Sequence, residues 1–283
     1  MAIRSILAPI TGLEPSHAPL ESGMRVARLL DAFIDVLHVR QDPREAISLV
    51  AMSGSGVVLD RLMEQMEKET ESRANQARWL FEKAAQAVGV ATAGSKATGR
   101  FRTIVAAAPD EVPVQARVAD LILFCRLPEG VDTEWRLTLE TALVGSGRAV
   151  LLLPLQARPT IGKTVALAWN GSAEAARAFS AAMPILKLAQ KVLLLSGTQG
   201  PPVTPSLSEV GEWLGRHGIA TERQPVALKG WPVGEQLVEE AAGAGADLLV
   251  MGAYGHTRVR ETIFGGATRA VLNESALPVL LAH

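Results

Sequence analysis

Cysteine is all but missing from this chain. The single thiol, Cys125, lies in the apolar run Leu121-Ile-Leu-Phe-Cys125. It leaves no internal disulfide to form, and a lone thiol in such a run packs as a small hydrophobe. A reducing compartment is the expectation. Aromatic residues are scarce at 4%, with one tyrosine, so the core must be built from aliphatic side chains. Charge of one sign is lacking as well. The formal net charge is −1 and the pI about 6.5, with acids and bases interspersed, which excludes the electrostatic footprint of a nucleic-acid binder or an anionic-membrane binder. No apolar run approaches the roughly 20 residues that span a bilayer. The stretch Met1-Ala-Ile-Arg-Ser-Ile-Leu-Ala-Pro-Ile10 carries no leader signature. The expectation is a soluble, cytoplasmic protein.

Several chemical motifs are missing too. The five histidines (His17, His38, His217, His256 and His283) form no local metal-ligand spacing with Cys125. There is no Gly-x-Ser-x-Gly elbow and no His-Glu-x-x-His helix. Gly162-Lys163-Thr164 resembles the end of a P-loop, but Ala157 holds the required earlier glycine position and the triplet precedes a strand instead of following one. Gly145-Ser-Gly147 and Gly243-Ala-Gly245 lack a third glycine, lead into strands, and read as helix-ending turns. No catalytic residue and no metal ligand is singled out.

What is present is an apolar chain, 48% hydrophobic and 20% charged over 283 residues, long enough for one large or two ordinary domains. An internal repeat favours two. Ser5-Ile-Leu-Ala-Pro-Ile10 matches Thr164-Val-Ala-Leu-Ala-Trp169. Val118-Ala-Asp-Leu-Ile-Leu-Phe124 matches Gly245-Ala-Asp-Leu-Leu-Val-Met251, and Arg148-Ala-Val-Leu-Leu-Leu-Pro154 matches Leu277-Pro-Val-Leu-Leu-Ala282. The reading is two domains, 1–155 and 163–283, joined by a linker at 156–162.

In the first copy, strands are expected at 6–9, 33–39, 91–98, 121–125 and 150–153. Helices are expected at 16–30, 59–88 and 111–119, with a short one within 127–147. In the second, strands at 164–169, 191–195, 220–227, 247–251 and 279–282 alternate with helices at 173–187, 206–216, 234–243 and 267–275. Such alternation implies a parallel sheet covered on both faces by right-handed crossovers, a doubly wound α/β fold. Each copy ends in a short apolar strand at a sheet edge. Antiparallel pairing of Val150–Leu153 with Val279–Leu281 would cover both edges, making the chain an intramolecular pseudo-dimer, with a homodimer as a further option.

The residues with most chemical content lie near the C-terminus. The run Leu248-Leu-Val-Met251 opens into Gly252-Ala-Tyr-Gly255, and Gly265-Gly266-Ala-Thr268 follows before a helical pattern. Glycines at a strand's carboxyl end let backbone approach a ligand, and a helix start offers free N–H groups to an anion. The spacing Gly252-x2-Gly255-x9-Gly265 resembles the nucleotide-binding signature of the universal stress protein family. That signature normally continues with Ser or Thr, where this chain has Gly266. The family usually carries Asp at the end of the first strand, where this chain has Asn170 followed by Gly171 and Ser172.

The resemblance implies tandem Rossmann-like domains, related to the adenine-nucleotide α-hydrolase group, and an ATP or AMP ligand with or without Mg²⁺. It implies a role as sensor or regulator in stress response, acting through an unidentified protein partner and not through catalysis. The implied site is Asn170, Gly171, Ser172, Gly252, Gly255, His256, Gly265, Gly266 and Thr268, with His256 a donor to phosphate. The first copy has Arg126-Leu-Pro-Glu-Gly130 after its corresponding strand and no Gly-x2-Gly loop, so its site is expected to be degenerate. A nucleotide-free scaffold is the alternative, and a slow ATP hydrolase a third.

Overall fold

Short runs of Leu, Ile, Val and Ala with no charge among them read as strands buried on both faces, and they form the middle of one sheet. The structure is a computed structural model and describes residues 2–42, 56–92, 94, 98–128, 130–197, 203–226, 233–254, 268, 271–272 and 275–283. The first half contains β1 (Ser5–Ile10), α1 (Ala18–Leu29), β2 (Phe33–Arg40), α2 (Gly56–Val88), β3 (Gly99–Val105), α3 (Ala108–Ala116), β4 (Leu121–Cys125), α4 (Thr133–Gly145) and β5 (Ala149–Leu153). The second contains β6 (Thr164–Ala168), α5 (Ala173–Leu186), β7 (Lys191–Gly197), α6 (Leu207–Arg216), β8 (Glu222–Val226), α7 (Val233–Gly243), β9 (Leu248–Gly252) and β10 (Val279–Ala282). Helical backbone recurs at Thr268 and at Val271 and Leu272, inside the last expected helix.

The ten strands lie in the order β3-β2-β1-β4-β5-β10-β9-β6-β7-β8. The two halves therefore repeat one order outward from the middle. All neighbours are parallel except β5 and β10, which pair antiparallel with Val279 opposite Leu152, Leu280 opposite Leu151 and Leu281 opposite Val150. The edge-covering pair expected from the sequence is the seam of the sheet. Side chains alternate across it, producing two apolar layers that each run through both halves. Ile6, Val36, Leu151, Val165 and Leu280 face α1, α2 and α5, while Leu7, Leu37, Leu152 and Leu281 face α3, α4 and α7.

The strand expected at 91–98 is displaced: β3 occupies Gly99–Val105 and pairs with β2 from Gly99 opposite Ile34 to Val105 opposite Arg40. The reason is electrostatic. Arg100 and Arg102 alternate on one side of β3 and both bind the carboxylate of Asp35, at 2.8 and 2.9 Å. A strand carrying two arginines is stable at this sheet edge because its neighbour supplies the counter-charge, and charge on an edge also discourages pairing with another chain.

The repeated Ala-Asp-Leu triplets have a structural role. Asp120 accepts the N–H groups of Arg4 and Ser5 at 2.8 and 3.0 Å. Asp247 accepts those of Gly162, Lys163 and Thr164 at 2.9, 3.2 and 3.0 Å. In each half one carboxylate thus ties down the entry of the central strand. We expect Asp247→Ala to lower stability by about 1–3 kcal/mol, the cost of leaving such donors without a charged acceptor. A urea midpoint unchanged from wild type would refute this role.

Candidate functional site

The carboxyl ends of β6 and β9 are neighbours because Ala168 lies opposite Met251. The chain leaving β6 must turn at once into α5, and Asn170-Gly-Ser172 does this. Asn170 Oδ1 accepts the Ser172 N–H at 3.1 Å, and Gly171 takes a φ of +77°, where a side chain would be strained. Ser172 then caps α5, its hydroxyl accepting the Ala175 N–H at 3.1 Å.

Gly252 closes the other side. A Cβ on it would stand 2.5 Å from Ala175 N and 2.8 Å from Glu174 C, so the end of β9 lies directly against the first turn of α5. Asn170, Gly171, Ser172 and Gly252 are therefore brought together, as a strand end packed on a helix start. The first turn also carries Glu174, ion-paired with Arg177 at 2.6 Å. Burial raises its carboxyl, but backbone hydrogen bonding, Arg177 and the Ser172 hydroxyl outweigh this and hold it below its ordinary range.

Beyond Gly252 the backbone turns sharply at Tyr254, whose φ is +60°, uncommon for a bulky residue and a mark of constraint. The Tyr254 N–H donates to the Thr268 hydroxyl at 3.4 Å. Thr268 is only 4% exposed, so this hydroxyl faces inward and clasps the two ends of the glycine loop. Gly255, His256, Gly265 and Gly266 lie outside the described residues.

The clasp leans on the other half of the chain. Burial pushes the Tyr254 phenol far above its ordinary range, with the Glu140 charge on α4 adding to the rise and Arg136 opposing it. From the end of β4, buried Arg126 donates an Nη2 hydrogen to the carbonyl of Val271 at 2.7 Å. Sequence reading did not find Tyr254, Glu174 or Arg126. For Tyr254 the available signal was its place between two loop glycines; for Arg126 there was none, because the contact spans 145 residues.

The equivalent corner of the first half is built otherwise. Gly12 takes a φ of +81° as Gly171 does, but Cys125 stands where the second half has Gly252. The loop N–H groups of Thr11 and Gly12 are taken by the buried carboxylate of Glu14, each at 2.9 Å. Burial raises the Glu14 carboxyl, with the backbone hydrogen bonds opposing, and it also pushes the Cys125 thiol up. The N-terminus of α4 is capped by Asp132, which accepts from Glu134 and Trp135 N–H at 2.9 and 3.1 Å. Two acids at a helix start disfavour an added anion.

Residues 214–283 match the model of the Universal stress protein family. That segment is similar to the universal stress proteins. It holds β9, the clasp and β10, so the resemblance read from the glycine spacing is borne out where the spacing lies. Two solved structures share the fold across almost the whole chain. A universal stress protein from Archaeoglobus fulgidus DSM 4304 is similar at 15% identity and a TM-score of 0.66, over 98% of this chain and 97% of that one. A putative universal stress protein from Pseudomonas aeruginosa UCBPP-PA14 is similar at 16% identity and 0.59, over 99% and 93%. At such identities the likeness is one of fold. No curated protein matches the sequence. Among the described residues no helix is long and apolar enough to cross a membrane.

Proposed function

We propose that this protein is a cytoplasmic two-domain universal stress protein that binds one adenine nucleotide, ATP or AMP, in its C-terminal half and serves as a sensor or regulator. The convergence of Asn170-Gly-Ser172 with Gly252 at the carboxyl ends of two adjacent parallel strands carries the reading. Open α/β sheets bind ligands in this position. The first half, 1–155, is the degenerate copy: its loop amides serve Glu14, and its helix start serves Asp132. A second reading, a nucleotide-free scaffold, is favoured by one observation. Gly252 has a packing reason to be glycine that needs no ligand.

Mass spectrometry of the small molecules that co-purify, followed by calorimetry with ATP and AMP, separates the two. We expect one nucleotide per chain. Gly266→Ser, which restores the hydroxyl typical of the family, should tighten binding by about tenfold to a hundredfold, as a hydrogen bond to a charged group is worth roughly 1.5–3 kcal/mol. No heat with either nucleotide, from wild type or from Gly266→Ser, leaves the scaffold as the answer.

A further inference from the structure

The seam of the sheet is a local two-fold. Leu151 opposes Leu280, and the pairing runs symmetrically outward to Val150 with Leu281 and Leu152 with Val279. Continued in that register, rotation about the central pair carries His283 onto Pro154, Leu277 onto Arg148 and Ala276 onto Gly147. Leu20, Met24 and Ala27 of α1 enter the core at the spacing of Ala175, Phe179 and Ala182 of α5, which equates Ser22 with Arg177. The seam is therefore flanked on this face by two equivalent grooves, one beside α1 and one beside α5.

The groove beside α1 holds a segment of the chain itself. The linker leaves β5 and crosses it at Arg158, whose backbone N–H donates to the Ser22 hydroxyl at 2.8 Å and whose guanidinium donates to the Ala276 carbonyl. The groove beside α5 is a cleft of about 690 Å³ open to solvent, lined by Arg148, Arg177, Ser180 and His283 among others. There the Arg177 guanidinium replaces the Ser22 hydroxyl, and Arg148 replaces Leu277. Cationic donors thus stand where the twin has an acceptor and an apolar side chain. No acidic side chain lines the cleft among the described residues. Arg148 uses one guanidinium hydrogen, on the Arg117 carbonyl at 2.7 Å, of the five it carries. Arg177 pairs with Glu174 at 2.6 Å on the surface, and exposed pairs exchange at little cost.

We propose that the cleft beside α5 docks an acidic segment of a partner protein, with two of its carboxylates held by the Arg148 and Arg177 guanidinium groups. The twin groove already seats a chain segment between the same walls. Carboxylates match the guanidinium fork, and the inverted wall chemistry selects a segment rich in acceptors over one rich in donors. The chain as a whole carries a net charge of −1, so this attraction is local and not that of a basic surface. It is also separate from the nucleotide corner. Gly252 packs on Glu174 and Ala175, whereas the cleft is lined by Ala176, Arg177, Ser180 and Ala181 on the flank of α5 toward β5.

The experiment is fluorescence anisotropy of labelled hexaglutamate and hexalysine with the full chain, alongside NMR of backbone amides and arginine Nε–H groups. Hexaglutamate should bind and shift the Arg148 and Arg177 signals, while hexalysine should not bind. Arg148→Leu and Arg177→Ser give the cleft the residues its twin carries. Each should weaken hexaglutamate by about tenfold, the loss of one charge-assisted hydrogen bond at an exposed site. Arg216→Ser, at the exposed end of α6, should change nothing. Absence of hexaglutamate binding overturns the proposal. So does an equal loss in all three variants, which marks diffuse attraction to any cation. Shifts confined to the Gly171 and Ser172 amides would put the peptide in the nucleotide corner, and self-association abolished by Arg148→Leu would make the occupant a second copy. Either result overturns it as well.

Discussion

Alanine at position 252 should destabilise the protein by about 2–3 kcal/mol, the upper range for forcing one methyl group into a packed site. The added Cβ would meet Ala175 N at 2.5 Å and both Glu174 C and Glu174 Cβ at 2.8 Å. Two of those atoms are backbone of α5, which is pinned by the Ser172 cap and by Ala178, Phe179 and Ala182 in the core. Neither side can yield cheaply, so β9 and α5 must part. For a chain of this size the melting temperature should fall by about 5–10 °C. Gly215→Ala is the control. It lies in α6 with nothing within 4 Å of a built Cβ, and there alanine should be neutral or stabilise by up to about 1 kcal/mol. Equal melting temperatures for Gly252→Ala and wild type would refute the packing. The result bears on function as well. Because any side chain at 252 points into α5, lost nucleotide binding in such a variant reports damage to the fold, and Gly266→Ser is the cleaner probe.

That distinction was not legible in the sequence. Gly252-x2-Gly255 spacing marks where backbone must be bare, but not whether a ligand or a helix comes close. Elsewhere the sequence spoke clearly. Runs such as Leu248-Leu-Val-Met251, bounded by turn residues, read as buried strands, and the doubled Ala-Asp-Leu triplet located the repeat, although the reason for its aspartate emerged only with the hydrogen bonds to Arg4, Ser5, Gly162, Lys163 and Thr164. The two short apolar end strands foretold the seam, because exposed edges of that kind are unstable alone. What failed was anything decided by a partner far away in sequence. β3 was placed too early because arginines at 100 and 102 look unlike a strand until Asp35 is beside them. Nothing in the sequence singles out Glu14, yet it is buried against the amides of its own loop. The support of the glycine-loop clasp by Arg126 and α4 arises only once two halves share a sheet.

The sharing of that sheet sets the largest effect expected from a single substitution. Leu280 is 0% exposed and sits between Leu151 on β5 and Val250 on β9, in the apolar layer that runs through both halves. Leu280→Asp would place a carboxylate in that apolar layer, at a cost of about 3–5 kcal/mol as for other uncompensated buried charges. Against a total stability of roughly 5–15 kcal/mol, this should lower the melting temperature by about 10 °C or more. The same substitution at Leu188, which is 51% exposed, should stay within about 0.5 kcal/mol of wild type. Calorimetry adds a sharper test. Since neither apolar layer stops at the seam, the wild-type chain should unfold in one transition that includes both halves, and Leu280→Asp should lower it as a whole. Two separate transitions in the wild type, with only the second half displaced by the substitution, would show that the seam joins the halves without making them one cooperative unit.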